Sequence, residues 1–209
     1  RPNFGFLMEE QGEIKGSDGE FRWIVDPLDG TTNFLHGLPH WAISIALEQR
    51  GEIVAGIIYD PIKDEMFRAE KGSGAFMKNK RLRVSGRKDM ALSVIAAGAP
   101  ALNRNDHDGY LRQLAALLKS VAGVRRYGAA SLDLAYVAAG RYDGYWEDNL
   151  KPWDVAAGIL IVKEAGGFAG TLSGGGSPVY DGDLLAANQG ILDPLRTILA
   201  GTAAKKGAA

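Results

Sequence analysis

Cysteine is absent from this 209-residue chain. That excludes a disulfide framework, thiolate zinc sites and a cysteinyl-phosphate intermediate, and it fits a reducing compartment. Long apolar runs are missing too: none approaches the roughly 18 residues of a membrane span, and no signal-peptide pattern opens the chain. Charge of one sign does not accumulate. With 24 Lys and Arg against 25 Asp and Glu, neither a nucleic-acid surface nor an acidic solvating tail is advertised. An initiator methionine is lacking as well, since the chain opens Arg1-Pro2-Asn3, and a segment upstream of it is expected. A soluble, cytoplasmic protein is the expectation these absences leave. The length suits one compact unit or two halves sharing a core.

Glycine is what the chain has in excess, at 28 residues against about 7% in average usage. Tight turns, or backbone that must approach a ligand closely, account for such an excess.

Strand-like segments dominate the first part. Arg22 to Asp26 reads as a strand halted by Pro27, which has no N–H to give a ladder. Residues 42–47 and 53–59 read as a hairpin turning at Arg50-Gly51-Glu52. Residues 66–69 and 74–77 continue the sheet, with Lys78-Asn79-Lys80 as a further turn. After about residue 90, strands at 92–97, 123–127, 142–147, 168–170 and 184–187 alternate with helical spacing at 110–118, 131–139, 153–165 and 192–199. Gly166-Gly167 is a helix stop, and the Gly/Ala/Lys tail from Gly201 is expected to fray. This rhythm predicts a layered α/β fold of two subdomains. Residues 1–90 form an α+β unit with an antiparallel sheet, and residues 91–209 an α/β unit.

Chemistry concentrates in Asp26-Pro27-Leu28-Asp29-Gly30-Thr31-Thr32-Asn33-Phe34. A bend after Asp26 returns Asp29 toward the same point in space. Two carboxylates converging there repel one another unless a cation lies between them, and hard oxygen ligands select Mg²⁺ or Mn²⁺. Gly30 lets backbone come close, and Gly30-Thr31-Thr32 offers successive N–H donors at a helix start, which suits a phosphate. The plainer alternative is a turn at Asp29-Gly30 with Thr31 as N-cap. Glu9-Glu10 follows the apolar run Phe6-Leu7-Met8, so a carboxylate can leave a strand end there. Asp154 begins an apolar-faced helix, and a simple N-cap explains it equally well.

Taken together, Asp26 to Phe34 resembles the first signature of the inositol monophosphatase family. Trp153-Asp154-Val155-Ala156-Ala157-Gly158, ending in Glu164-Ala165-Gly166-Gly167, resembles its second. The similarity runs from about Phe4 to the last helix. It implies an α-β-α-β-α sugar-phosphatase sandwich and a phosphoric monoester hydrolase binding two to three Mg²⁺ ions, with Mn²⁺ able to substitute. Glu9, Asp26 and the Leu28 carbonyl would hold one ion, Asp26, Asp29 and Asp154 a second, with a weaker third near Glu9. Thr31 and Glu9 would orient the attacking water, and the Gly30 and Thr31 N–H groups would cradle phosphate. Asp29, Ala130, Glu147 and Asp154 would meet the polyol hydroxyls. Lithium sensitivity and a homodimer are also implied. The family normally begins with two long helices, and the chain starts after their place.

Inositol 1-phosphate is the substrate this resemblance favours, with histidinol phosphate, fructose 1,6-bisphosphate and nucleotide phosphates as alternatives. Arg125, Arg126 and Lys151 stand where a second anionic group, or a dimer partner, would be met. Other phosphatase chemistries fit poorly. A haloacid-dehalogenase-type enzyme needs two aspartates separated by one residue, whereas two separate Asp26 and Asp29; a histidine phosphatase needs Arg-His-Gly, whereas His36 follows Leu35. His36, His40 and His107 read as surface or packing residues, and Tyr142, Tyr145 and Trp146 as core strand rather than a sugar platform. Residues 135–139 read as helix packing or a dimer face. A non-catalytic RNA- or protein-binding role would use the basic run Lys78 to Arg83 with Arg87-Lys88; a solvated hairpin face is the simpler account of those charges.

Overall fold

The computed structural model describes residues 1–100 and 107–202; most of the tail from Gly201 thus lies outside the described residues. Two mixed sheets carry the fold. The first contains β1 (Gly5–Met8), β2 (Gly12–Ile14), β3 (Phe21–Asp29), β4 (Ala42–Gln49), β5 (Glu52–Asp60), β6 (Glu65–Glu70), β7 (Gly74–Met77) and β8 (Lys80–Arg81). Their order is β2-β1-β3-β4-β5-β6-β7-β8. All pairs are antiparallel except β1 with β3. The second sheet is ordered β10-β9-β11-β13-β12, from β9 (Val94–Ala97), β10 (Gly123–Arg125), β11 (Gly144–Glu147), β12 (Phe168–Gly170) and β13 (Leu184–Ala187). Its β9, β10 and β11 run parallel, and β13 runs against β11 and β12.

Helices α3 (Ala130–Ala138) and α4 (Pro152–Glu164) fill the space between the sheets. Both are apolar nearly all round, with every residue of α3 buried, as a helix enclosed on all sides must be. Close approach depends on glycine. A Cβ on Gly158 would meet the Leu134 side chain at 2.5 Å, and one on Gly56 would meet the Ala157 Cα at 2.9 Å. Helices α2 (His107–Leu117) and α5 (Leu192–Ala200) pair beyond the second sheet. A smaller apolar cluster around Ile95, Trp146, Leu185 and Leu195 lies there.

Alternation along β4 decides which face of the first sheet is covered. Ala42, Ser44, Ala46 and Glu48 are buried, while Ile43, Ile45 and Leu47 are half-buried. Register places Ile43, Ile45 and Leu47 beside Val25, Trp23, Ile57 and Tyr59, so the outward face is an apolar field. The helices that pack on this sheet, α3 and α4, lie on its other side. Among the described residues no long helix precedes β1.

Most of the expected elements are present, with specific differences. Pro27 does not halt its strand: β3 continues through it to Asp29, because a bulge absorbs the missing donor. Leu92 belongs to a 3-10 turn (Met90–Leu92) capped by the Asp89 carboxylate, not to the strand that starts at Val94. Tyr142 precedes β11 rather than joining it. β2 and the short β8 were not anticipated, being only three and two residues long. Tyr142, Tyr145 and Trp146 are core residues, and Ala135, Val137 and Ala138 are fully enclosed within the monomer, so helix packing is their role.

Candidate active site

The bulge in β3 builds the first part of the site. Asp26 pairs with Ser44 and Asp29 with Ala42, so three steps along β3 match two along β4. In a regular strand, side chains three apart point to opposite faces; the extra residue returns both aspartates to the inner face. Asp26 is 1% exposed and Asp29 8%, while Pro27 between them faces out. The Leu28 N–H closes the bend by donating to Asp26 Oδ1 at 2.8 Å.

Gly30 follows with φ of 91°, in the left-handed region, and a Cβ there would sit 3.2 Å from the His40 carbonyl. Glycine is required on both counts. The short helix α1 (Thr31–Leu35) then begins, and Thr31 Oγ1 donates back to the Leu28 carbonyl at 3.0 Å. Asn33 anchors this loop: its buried amide donates to the His40 and Tyr127 carbonyls, both at 2.7 Å.

Three other segments reach the same region. β1 runs parallel to β3 with Met8 opposite Val25, so Glu9, one residue on, arrives beside Asp26. From α3, the Ser131 N–H and hydroxyl both donate to Asp29 Oδ2, the amide at 2.8 Å. From α4, Asp154 stands three residues inside the helix, not at its cap: Lys151 is the N-cap, and its N–H donates to Asp154 Oδ2 at 2.7 Å. Asp154 is therefore not the N-cap itself but the third helical residue of a capping box, and helix capping still accounts for part of its placement. Ser44 Oγ bonds the Trp153 carbonyl at 3.2 Å, fixing the start of α4 against β4.

These carboxylates disturb one another. Burial pushes Asp26 up to about 7, with Glu9 and Asp154 adding to the rise. Asp29 is raised well above the usual carboxylate range, by burial first, with Asp26 and Asp154 contributing and Ser131 opposing. Among the described residues, no three such side chains are placed tightly enough to grip an ion as they stand. The donor set nonetheless fits a hard divalent cation: it is all-oxygen and anionic, and in Asp26 and Asp29 burial first, then neighbouring carboxylates, penalise a charge that a cation would stabilise.

Beside the aspartates lies a cleft of about 180 Å³, whose walls include Asp29, Arg126, Ala130, Glu147 and Asp154. Glu147 ends β11, accepts a hydrogen bond from the Tyr145 hydroxyl, and is pushed up to about 7 mainly by burial. Ala130 opens α3, 8% exposed. The structure thus gathers Asp29, Ala130, Glu147 and Asp154 around one cleft, with Asp26 and Glu9 flanking it. Thr31, at the start of α1, is exposed and is not among the residues that wall the cleft.

Two residues escaped sequence reasoning. Ser131 holds Asp29 across 102 positions of chain, and no local pattern signals that. Asp133, 1% exposed on α3, has an Oδ1 without a hydrogen-bond partner and is raised well above its usual range by burial, then by Glu147 and Asp29. A charged residue inside an otherwise apolar helix was its available signal. The histidines behave as expected. His36 and His107 are exposed, while His40 packs between Tyr127 and Tyr136 and is lowered to about 4 by burial.

Known proteins resemble this chain in sequence and fold along nearly its whole length. The model of the inositol monophosphatase family matches residues 1–204. The chain is 54% identical over 199 residues to an inositol-1-monophosphatase of Rhizobium meliloti, covering 95% of the chain and 75% of that protein. It is 45% identical over 202 residues to the Nus factor SuhB of Pseudomonas aeruginosa, covering 95% and 74%. The crystal structure of the extragenic suppressor protein suhB from Bartonella henselae superposes with a TM-score of 0.92 at 56% identity, covering 99% of this chain and 78% of that one. The chain belongs to the inositol monophosphatase family, has its sugar-phosphatase fold, and is a phosphoric monoester hydrolase.

Proposed function

We propose that the protein hydrolyses a small polyol phosphate monoester, inositol 1-phosphate foremost, with Mg²⁺ as cofactor. The observation that carries this reading is the meeting of Asp26, Asp29 and Asp154 from β3 and α4 beside a cleft that also holds Glu147. Glu9, Asp26, the Leu28 carbonyl, Asp29 and Asp154 are the proposed ligands. Bound there, Mg²⁺ would supply charge neutralisation and an acidified water.

The chain's own groups do the rest. Glu9 and the Thr31 hydroxyl orient water toward phosphorus, and the Gly30 and Thr31 N–H groups face the phosphate oxygens. Thr31 is placed for this by its bond to the Leu28 carbonyl, which ties water-orienting and ligand groups into one bend. Ser131 fixes the rotamer of Asp29. The Ala130 N–H and the Asp29, Glu147 and Asp154 carboxylates hold the substrate's hydroxyls. With units of residues 1–90 and 91–209, the proposed metal and phosphate groups other than Asp154 belong to the first unit, and Ala130, Glu147 and Asp154 to the second.

A homodimer is the proposed assembly, and Phe34, Leu35, Leu38 and Tyr127, exposed around α1, offer apolar surface for it. Lithium sensitivity and a cytoplasmic location accompany the proposal. No helix among the described residues is long and apolar enough to cross a membrane.

A regulatory reading draws support from the relative named a Nus factor. The basic run is a poor platform for it: Lys78 pairs with Asp64 at 2.6 Å, and Arg81 lies over the Phe76 ring. The deciding experiment is phosphate release from inositol 1-phosphate, histidinol phosphate, fructose 1,6-bisphosphate and nucleotide phosphates, with and without Mg²⁺. Mg²⁺-dependent release led by inositol 1-phosphate is expected. No release from any compound, together with salt-sensitive RNA retention on a filter, would favour the regulatory reading.

A further inference from the structure

Asp29 is held from outside its own strand. Helix α3 begins at Ala130, and its N-cap residue, Ala129, supplies no side-chain cap. The Asp29 carboxylate, 102 positions from Ser131, takes that place: its Oδ2 accepts the Ser131 N–H at 2.8 Å and the Ser131 hydroxyl as well. An anionic group there meets both an orphan N–H and the positive end of the helix dipole. Ser131 is fully enclosed and Asp29 nearly so, so the join is made in the interior.

The two donors do different work. One N–H suffices to aim a carboxylate: Asp26 Oδ1 and Asp154 Oδ2 each accept such a bond, from Leu28 at 2.8 Å and Lys151 at 2.7 Å. The Ser131 hydroxyl adds a second donor to an oxygen already aimed. A carboxylate oxygen has two lone-pair sites, so N–H and O–H together fill Oδ2. Oδ1 accepts no hydrogen bond among the described residues, and Asp29 walls the cleft. One oxygen of Asp29 is thus left for a cation. That count matters to ion choice. Ca²⁺ takes about six to eight oxygens and gains from carboxylates that give both of theirs, whereas Mg²⁺ takes about six, keeps several waters and is served by single oxygens.

We infer that Ser131 is a positioning residue for the metal site, whose hydroxyl confines Asp29 to one ligand oxygen and so biases the carboxylate cluster toward Mg²⁺ and against Ca²⁺. The inference rests on the reading of Asp29 as a ligand and sharpens it. With alanine at this position the backbone N–H still caps onto Oδ2, so the carboxylate keeps its place. The freed lone pair lets Asp29 offer both oxygens, and the larger ion gains.

Titration calorimetry with Mg²⁺ and, separately, Ca²⁺ tests it on the wild type, Ser131→Ala, Ser131→Cys and Asp29→Asn, at about pH 8 to limit proton competition. The Ca²⁺-to-Mg²⁺ affinity ratio should rise about tenfold in Ser131→Ala, the scale of one hydrogen bond to a charged group. Ser131→Cys should raise it in the same direction, since a thiol is a weak donor. The ratio carries the test, because a loosened helix or a changed proton affinity at Asp29 moves both ions together. Thermal melts identify a variant that fails to fold; Ser131→Ala decides where it folds, and Ser131→Cys otherwise. An unchanged ratio in the deciding variant, while Asp29→Asn binds Mg²⁺ more weakly than the wild type, overturns the role of Ser131 and leaves Asp29 a ligand. No Mg²⁺ binding by the wild type, or equal affinity in Asp29→Asn, sinks the ligand reading and this inference with it.

Discussion

Supplying a divalent cation at different pH values tests the carboxylate cluster most directly. Asp26 is almost fully enclosed and its carboxyl is raised from 3.8 to about 7. Between those values the folded protein keeps a proton on Asp26 that the unfolded chain has released. The unfolded state then binds fewer protons, so this group's contribution to stability falls as pH rises through the window and is fully lost above about 7. Roughly three pKa units at about 1.4 kcal/mol each set a ceiling of about 4 kcal/mol on that loss. Glu147, also raised to about 7, acts in the same direction. His40 opposes both: lowered to about 4, it adds stability as pH climbs from there to its unfolded value. A melting curve of the wild type alone therefore mixes signs, and the informative quantity is the difference from Asp26→Asn. Cation binding gives a cleaner measure, because the ion must displace the Asp26 proton. Apparent Mg²⁺ affinity should rise about tenfold per pH unit up to about 7, more steeply if Asp29 also releases a proton, and then level off. Titration calorimetry at about pH 6, 7 and 8, in buffers of differing ionisation heat, reads both affinity and protons released. Equal affinity at all three values with no proton release would refute the placement of a cation at Asp26.

Asp29→Asn and Asp154→Asn should each weaken Mg²⁺ binding and lower turnover at least about a hundredfold, the scale of a lost electrostatic contact; wild-type turnover from the metal-saturated Asp154→Asn enzyme would refute that residue's role. Gly158→Ala drives a methyl group into Leu134 at the crossing of α3 and α4, and urea unfolding should show a loss of about 1–3 kcal/mol. Asn33→Ala removes both amide bonds that join α1 to the loops at His40 and Tyr127. Orphaning those carbonyls should cost about 1–3 kcal/mol, seen as a lower Tm.

The bulge at Pro27 shows where sequence reasoning stops. Strands and helices were legible because their periods are local: β4 alternates buried and half-buried residues without a break, and α4 is an apolar run begun by a proline and ended by glycines. The same local rule sends Asp26 and Asp29 to opposite faces, being three apart on one strand. Proline was rightly read as incompatible with a regular ladder. Ending the strand and inserting a residue both satisfy that constraint, and only the partner strand chooses between them. Pairing of Asp29 with Ala42 decides for insertion. Partners that are remote in sequence explain the other gaps as well. Ser131 reaches Asp29 only after α3 has docked between the sheets, and Asp133 meets Glu147 and Asp29 only once β11 lies beside that helix. Residue type announced the acids of the site, whereas the serine that holds Asp29 comes from α3, which was legible as a helix but not as a neighbour of β3.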